Sequence, residues 1–223
     1  MLDLKDKLIV ALDVDTLEKA EKIVDALGDE VKFYKIGSQL FTAYGPKAVE
    51  MVTKKGGEVF LDLKFHDIPN TVYLAVASGA TLSKVFMMTV HIKGGIEMLK
   101  KAQEAALVKA RELKIKKPLI VGVTKLTSEA STEKDVLDSA RIAQEAGLDG
   151  VVCSALEAKK IREEFGPGFI IVTPGIRPKG TSLGDQKRVA TAKEAIEAGA
   201  NYIVVGRPIV EAKDPLQAVA DLI

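Results

Sequence analysis

The chain has 223 residues, of which 47% are hydrophobic and 28% charged, and its 32 Lys and Arg residues nearly balance its 31 Asp and Glu residues. This composition is typical of a soluble globular protein, and we expect a single domain over residues 1–223. The balanced charge argues against a nucleic-acid partner. No apolar run approaches the roughly 20 residues that span a bilayer, so we expect no membrane partner. The single cysteine, Cys153, excludes an internal disulfide and indicates a reducing, cytoplasmic location.

Short apolar runs rich in β-branched residues alternate with longer amphipathic segments along the chain. The runs predict strands at 8–14, 31–37, 58–64, 85–91, 118–124, 150–155, 169–175 and 202–208. Segments between them, such as 17–27 and 132–147, place apolar residues three and four apart and predict helices. Gly28, Gly147 and Gly199 stand where helices are expected to end.

Eight such strand–helix units predict an α/β fold with a parallel sheet, closed into a compact TIM (β/α)8 barrel. The alternative is an open doubly wound sheet. It is disfavoured because no glycine-rich dinucleotide turn follows the first strand. The longest irregular stretch, 176–188, is rich in glycine and polar residues, which suits a flap over a binding site.

The third run carries the most informative pattern of the chain. In residues 61–65, Leu and Phe alternate with Asp62 and Lys64, which is the period of a strand with two different faces, and Asp67 follows. Charges that point into a protein are costly unless they are paired or used, so this row predicts a catalytic site. The alternative is a salt-bridge network that closes the top of the barrel.

Other polar residues fall at the carboxyl ends of the predicted strands, where barrel enzymes carry their chemistry. Asp13 and Lys35 are expected beside Asp62 and Lys64. Neighbouring carboxylates favour the charged form of Lys64, which suits a proton donor better than a nucleophilic amine.

The eighth run ends in a glycine and an arginine, Gly206 and Arg207. Strands seven and eight commonly build the phosphate site of this fold, and a guanidinium binds phosphate in a bidentate manner. The pair therefore predicts a phosphate site. The alternative is a surface arginine in the turn that enters a helix.

Several motifs together resemble those of the orotidine 5'-phosphate decarboxylase family: DLKFHDIPNT at 62–71, ALDV, TVH, TPGIRP, GDQKR and VVGRP. The resemblance runs from Asp13 to Arg207. It implies a TIM-barrel homodimer with sites at the dimer interface. It also implies a lyase that converts orotidine 5'-phosphate to uridine 5'-phosphate in de novo pyrimidine biosynthesis, with no metal and no cofactor.

The resemblance also implies roles for single residues. Lys64 would protonate carbon 6, Asp62 would lie beside the substrate carboxylate, and Asp67 would complete the catalytic array from the partner subunit. The remaining expected contacts are Asp13 and Lys35 to the ribose (Lys35 also holding Asp62), Thr71 to the ribose across the interface, Thr127 and Ser128 to the pyrimidine, and Arg177, Gln186, Gly206 and Arg207 to the phosphate.

Two other functions stay open. A sugar-phosphate decarboxylase or aldol-type lyase on the same barrel would need a divalent ion, and a non-catalytic barrel would bind the nucleotide without turnover. His66 and His91 lack metal-ligand spacing with any cysteine pair and are expected to pack near the site. Cys153 is expected to be a small core residue.

Overall fold

The computed structural model describes residues 4–124, 132–178 and 190–222. Within these ranges eight strands form a closed barrel in chain order, in which every neighbouring pair is parallel and the last strand pairs with the first. The strands are β1 (Leu8–Ala11), β2 (Phe33–Gly37), β3 (Glu58–Phe65), β4 (Val85–His91), β5 (Leu119–Val123), β6 (Gly150–Val152), β7 (Ile170–Thr173) and β8 (Tyr202–Val205).

Helices connect the strands and surround the barrel. In the described ranges they are α1 (Leu17–Leu27), α2 (Ser38–Tyr44), α3 (Pro46–Lys54), α4 (Pro69–Ala80), α5 (Ile96–Leu113), α6 (Glu133–Glu145), α7 (Ala155–Phe165), α8 (Ala192–Glu197), α9 (Arg207–Val210) and α10 (Pro215–Ala220). Short 3₁₀ turns follow α1 and β4.

Capping residues and glycines explain where several helices begin and end. Thr16 accepts a hydrogen bond from the Lys19 N–H and caps α1. Gly28, Gly147 and Gly199 lie directly after helices or their last turns with positive φ, which confirms the predicted helix ends.

Successive side chains of each strand point to opposite faces of the barrel wall, so the apolar residues form two cores. The larger core lies between the barrel and the helices. The smaller core fills the barrel interior with residues from successive strands: Ile9, Ala11, Phe33, Phe60, Met87, Val121, Val172 and Val204. At the amino-terminal end of the barrel, the Phe33 ring packs on Phe86 and Tyr202, with ring centroids 4.5 and 5.7 Å away. This packing leaves the opposite, carboxyl end as the mouth for a site.

The structure confirms the predicted closed TIM barrel as a compact single domain, whereas the bounds 1–223 stay a prediction. Several strands are shorter than predicted at their carboxyl ends: β1 ends at Ala11, not at 14, and β6 ends at Val152. The residues that follow directly, Leu12 and Cys153, still donate backbone hydrogen bonds to the Lys35 and Val172 carbonyls of the neighbouring strands. No helix in the described ranges is both long and apolar enough to cross a membrane.

Candidate active site

A chain of four alternating charges lies at the carboxyl end of the first three strands. The Lys64 Nζ lies 2.8 Å from Asp62 Oδ2, and the Lys35 Nζ lies 3.6 Å from the same oxygen and 2.8 Å from Asp13 Oδ1. The period of two explains the position of Asp62, because Phe60 on β3 belongs to the barrel interior and Asp62 continues on its side; Lys64 also lines the cavity. The predicted row on β3 therefore does meet the predicted charges of its neighbours.

Burial and charge act against each other at Asp62. Its side chain is 11% exposed and that of Lys35 is 10% exposed, whereas Lys64 is 38% exposed. Burial disfavours the carboxylate, but the charges of Lys35 and Lys64 and hydrogen bonds from Lys64 and Thr89 outweigh it, so the pKa of Asp62 is lowered. The site thus holds an ionised carboxylate that touches a partly exposed ammonium.

The backbone of Lys64 has an unusual conformation. Its φ is 51°, in the left-handed region that residues with a side chain seldom adopt. Its N–H donates to the Thr89 Oγ1 at 2.8 Å, and the same hydroxyl donates to Asp62 Oδ1 at 3.0 Å. Sequence reasoning missed Thr89, although a threonine within the apolar run VFMMTVH was a signal that could have been followed.

Gly37 was also missed, although it ends β2 beside the charged chain. A Cβ at this position would lie 2.8 Å from Asp13 Oδ1 and 3.0 Å from the Lys35 Nζ. These are tighter than ordinary contacts, so the absent side chain lets the Asp13–Lys35 pair close over the end of β2.

A cavity of about 490 Å³ opens at this end of the barrel, within the size range of small-molecule sites. Lys35, Asp62 and Lys64 line one side of it. Residues that follow β7 and β8 line the other, and among these are the predicted phosphate ligands Arg177, Gly206 and Arg207, together with Pro174, Gly175 and Glu211. The strands thus place charged recognition groups on both sides of one cavity.

Two predicted site residues lie outside this cavity. The Asp67 carboxylate is exposed and accepts a hydrogen bond from the Ile68 N–H at 2.6 Å. Thr71 is exposed in the first turn of α4. Three further predicted contacts, together with most of the 176–188 flap, fall outside the described residues: Thr127, Ser128 and Gln186.

The two histidines and the cysteine of the chain pack against other residues. The His66 and His91 rings stack with centroids 5.3 Å apart, and the His91 Nδ1 accepts from the Lys93 N–H at 3.4 Å. Cys153 is buried in the outer core, and burial raises the pKa of its thiol, so it is a core residue as predicted. Across the described ranges, no group of three or more His, Cys, Asp or Glu residues is arranged to hold a metal ion.

The closed parallel barrel with its charged cavity at the carboxyl end defines the class of the protein as a (β/α)8-barrel enzyme. A family model, Orotidine 5'-phosphate decarboxylase / HUMPS family, matches residues 6–222. The chain belongs to this family, which confirms the resemblance and the predicted enzyme class, a carboxy-lyase.

Relatives with assigned names agree with this membership. The chain is 49% identical to an orotidine 5'-phosphate decarboxylase of Moorella thermoacetica, over 96% of the chain and 89% of that relative. It is 45% identical to one of Pseudoalteromonas translucida, over 97% of the chain and 95% of that relative. A crystal structure of the Lactobacillus acidophilus orotidine 5'-phosphate decarboxylase superimposes with a TM-score of 0.84 and 39% identity, covering 97% of both chains.

Proposed function

We propose that the chain decarboxylates orotidine 5'-phosphate to uridine 5'-phosphate and carbon dioxide, a step of de novo pyrimidine biosynthesis, without a metal or another cofactor. Its family and the names of its relatives support this substrate. The observation that carries the mechanism is the Lys64 ammonium, which lies 2.8 Å from a buried carboxylate at the wall of the cavity.

The difficulty of the reaction lies in the charge that it creates. When the bond between carbon 6 and the carboxylate breaks, carbon dioxide leaves and an electron pair stays on carbon 6, in the plane of the ring, where the π system cannot accept it. An ammonium placed at this carbon stabilises the developing charge and then donates its proton. Lys64 would form the new C–H bond in this way, and the neutral amine would regain a proton from solvent.

Asp62 would act on the carboxylate that departs. Because the pKa of Asp62 is lowered despite burial, this side chain is negatively charged at neutral pH, and it would repel a substrate carboxylate bound beside it. Lys35 contacts Asp62 at 3.6 Å and Asp13 at 2.8 Å, so it would hold Asp62 and offer the ribose hydroxyls an adjacent charged pair.

The phosphate would bind on the other side of the cavity. Arg177 and Arg207 supply guanidinium groups there, and Gly206 provides a backbone without a side chain. Among the described residues, the nearest neighbour of a Cβ on Gly206 would be the Ala11 Cβ, at an ordinary 3.5 Å. Packing among the described residues therefore leaves room for a side chain, which supports ligand approach as the reason for glycine. Gln186 at the phosphate, and Thr127 and Ser128 at the base, remain part of the proposal.

The proposed active unit is a cytoplasmic homodimer. Ile68, which directly precedes α4, and Leu74 within α4 are 66% and 56% exposed. The exposed Thr71 lies between them in the sequence, and Thr71 and Leu74, three residues apart, share one side of the helix. A second copy of the chain would cover this apolar surface. Asp67, which lies beside it, would then reach the partner's site together with Thr71.

The test is to follow the absorbance of orotidine 5'-phosphate with the purified protein in excess EDTA. We expect full turnover, because the proposed chemistry uses only the ammonium and the neighbouring carboxylates. Loss of activity in EDTA that returns with a divalent ion would favour the sugar-phosphate lyase instead. Binding of uridine 5'-phosphate without any turnover would favour the non-catalytic barrel.

A further inference from the structure

One buried hydroxyl on β4 connects the two residues proposed to carry the chemistry. Thr89 is fully buried, and its Oγ1 lies 2.8 Å from the Lys64 backbone nitrogen and 3.0 Å from Asp62 Oδ1. We propose that Thr89 is a positioning residue of the reaction, which fixes the Lys64 backbone and the Asp62 carboxylate through this single oxygen. The inference rests on the proposed function.

Donor and acceptor chemistry fixes the direction of both hydrogen bonds. A backbone N–H can only donate, and an ionised carboxylate can only accept. The Thr89 hydroxyl must therefore accept from Lys64 and turn its own proton to Asp62. Because Asp62 also contacts the Lys64 and Lys35 ammonium groups through its other oxygen, the hydroxyl fixes the rotation of the carboxylate between them.

The strand pairing explains why the Lys64 N–H needs this partner. In the β3–β4 ladder, Leu61 pairs with Met88 and Phe65 pairs with Val90. An interval of four residues on β3 therefore lies opposite an interval of two residues on β4. The irregularity contains Lys64 with its φ of 51°. A buried backbone N–H that loses its ladder acceptor must find another one, and the Thr89 side chain supplies it. The hydroxyl thus supports a backbone conformation that ordinary sheet pairing does not.

Removing the Thr89 hydroxyl should make the positions of Lys64 and Asp62 less well fixed, and it should leave the phosphate site unchanged. Without it, the Lys64 backbone and the Asp62 carboxylate each lose a hydrogen bond, and a displacement of about 1 Å of a reacting group can cost about a hundredfold in rate. Arg177 and Arg207 follow β7 and β8, whereas Thr89 lies on β4 and its hydroxyl bonds to Lys64 and Asp62. The rate should therefore fall much more than nucleotide affinity.

The experiment compares Thr89→Val, which keeps the shape, with Thr89→Ser, which keeps the hydroxyl. We expect Thr89→Val to lower kcat by about 10- to 100-fold and Thr89→Ser to stay within about fivefold of wild type. The Kd of uridine 5'-phosphate should change less than about threefold in both. The matched control is Thr173→Val, because Thr173 on β7 is equally buried and its Oγ1 has no partner among the described residues. Its kcat should stay near that of wild type.

A packing role for Thr89 predicts the opposite order. The valine variant would then keep its activity, whereas the serine variant would lose it through the missing methyl group, and this result would overturn the proposal. If Thr89→Val does not fold, Thr89→Ser and Thr89→Ala give the same comparison, since they differ only by the hydroxyl. Equal kcat in that pair would also overturn it.

Separate experiments test the positioning role of Thr89 and the proposed function. If the wild-type protein does not decarboxylate orotidine 5'-phosphate, the proposed function is wrong. Crystal structures of wild type and Thr89→Val then still test the geometry. We expect the variant to lose the positive φ of Lys64 or the 2.8 Å contact between Lys64 Nζ and Asp62 Oδ2. Unchanged values of both would contradict the positioning role.

Discussion

Asp62 stays charged although it is buried, because two ammonium groups and a hydroxyl surround it. Burial works against its ionisation, but the opposing interactions with Lys35, Lys64 and Thr89 lower the pKa of its carboxyl below the ordinary value of 3.8. The folded state therefore releases this proton more readily than the unfolded chain does. Its contribution to stability is complete above about pH 5 and is lost as the pH falls through 3.8 towards the lower pKa of the folded state.

Asp62→Asn should remove this part of the pH dependence. At pH 7 the variant leaves two buried or half-buried ammonium groups with one carboxylate fewer, and we expect it to be less stable by about 3 kcal/mol. The free energy of unfolding in urea, measured for both proteins between pH 7 and pH 3, should show this difference shrinking on acidification. A difference that stays constant with pH would contradict the lowered pKa.

The sequence alone predicts Asp62 and Lys64 as site residues, because charges at alternate positions of an apolar strand point into the protein, where they are costly unless they are paired or used. It could not identify the role of Thr89. That role depends on the irregular pairing of β3 with β4 and on the left-handed backbone of Lys64, and both arise from contacts between distant segments. Nor could the charge pattern show that Asp67 lies outside the cavity of its own chain.

Two strands, β2 and β8, end in or directly before a glycine, for different physical reasons. At the end of β2, a side chain on Gly37 would displace the charged ends of Asp13 and Lys35. At the end of β8, a side chain on Gly206 would meet no tight contact with the part of the chain that the structure describes. The first glycine thus serves the arrangement within the protein, and the second leaves the cavity free for a ligand.

Alanine substitutions at Gly37 and Gly206 should have different effects. Gly37→Ala should keep the fold, because the atoms it displaces lie at the ends of flexible side chains. It should, however, break the 2.8 Å contact between Lys35 and Asp13. Gly206→Ala should leave the unliganded crystal structure unchanged and weaken binding of uridine 5'-phosphate by about tenfold or more, as a crowded phosphate loses its best contacts. Tight binding by Gly206→Ala, measured by calorimetry, would contradict the phosphate site.

The existence and order of the strands could be predicted from the sequence, but their ends could not. Hydrophobic periodicity indicates where a strand runs, whereas its last residues depend on whether a neighbouring strand continues beside them. Asp13 and Thr124 continue apolar runs in the sequence, yet both follow the last paired residue of their strands. Of these two, Asp13 lines the cavity.

The proposed dimer makes each site depend on two chains. Lys64→Ala and Asp67→Asn, each inactive alone, should restore activity when the two chains are coexpressed. If subunits combine at random, half of the dimers are mixed and each has one intact site, so about a quarter of all sites should be active. The activity of the purified mixture, with sedimentation to confirm the dimer, checks this.

The control uses two residues that touch each other within one chain. Lys64 and Asp62 lie 2.8 Å apart, so Lys64→Ala combined with Asp62→Asn leaves no intact site in any dimer and should stay inactive. Recovery in this control, or none in the mixture of Lys64→Ala with Asp67→Asn, would contradict a site shared across the interface.

The most direct test of the central proposal measures turnover and nucleotide binding of Lys64→Ala beside Arg207→Ala. Lys64→Ala should lose nearly all decarboxylation of orotidine 5'-phosphate yet bind uridine 5'-phosphate nearly as wild type does, whereas Arg207→Ala should lose far more affinity. Turnover that survives without the Lys64 ammonium would contradict the proposal that this residue protonates carbon 6.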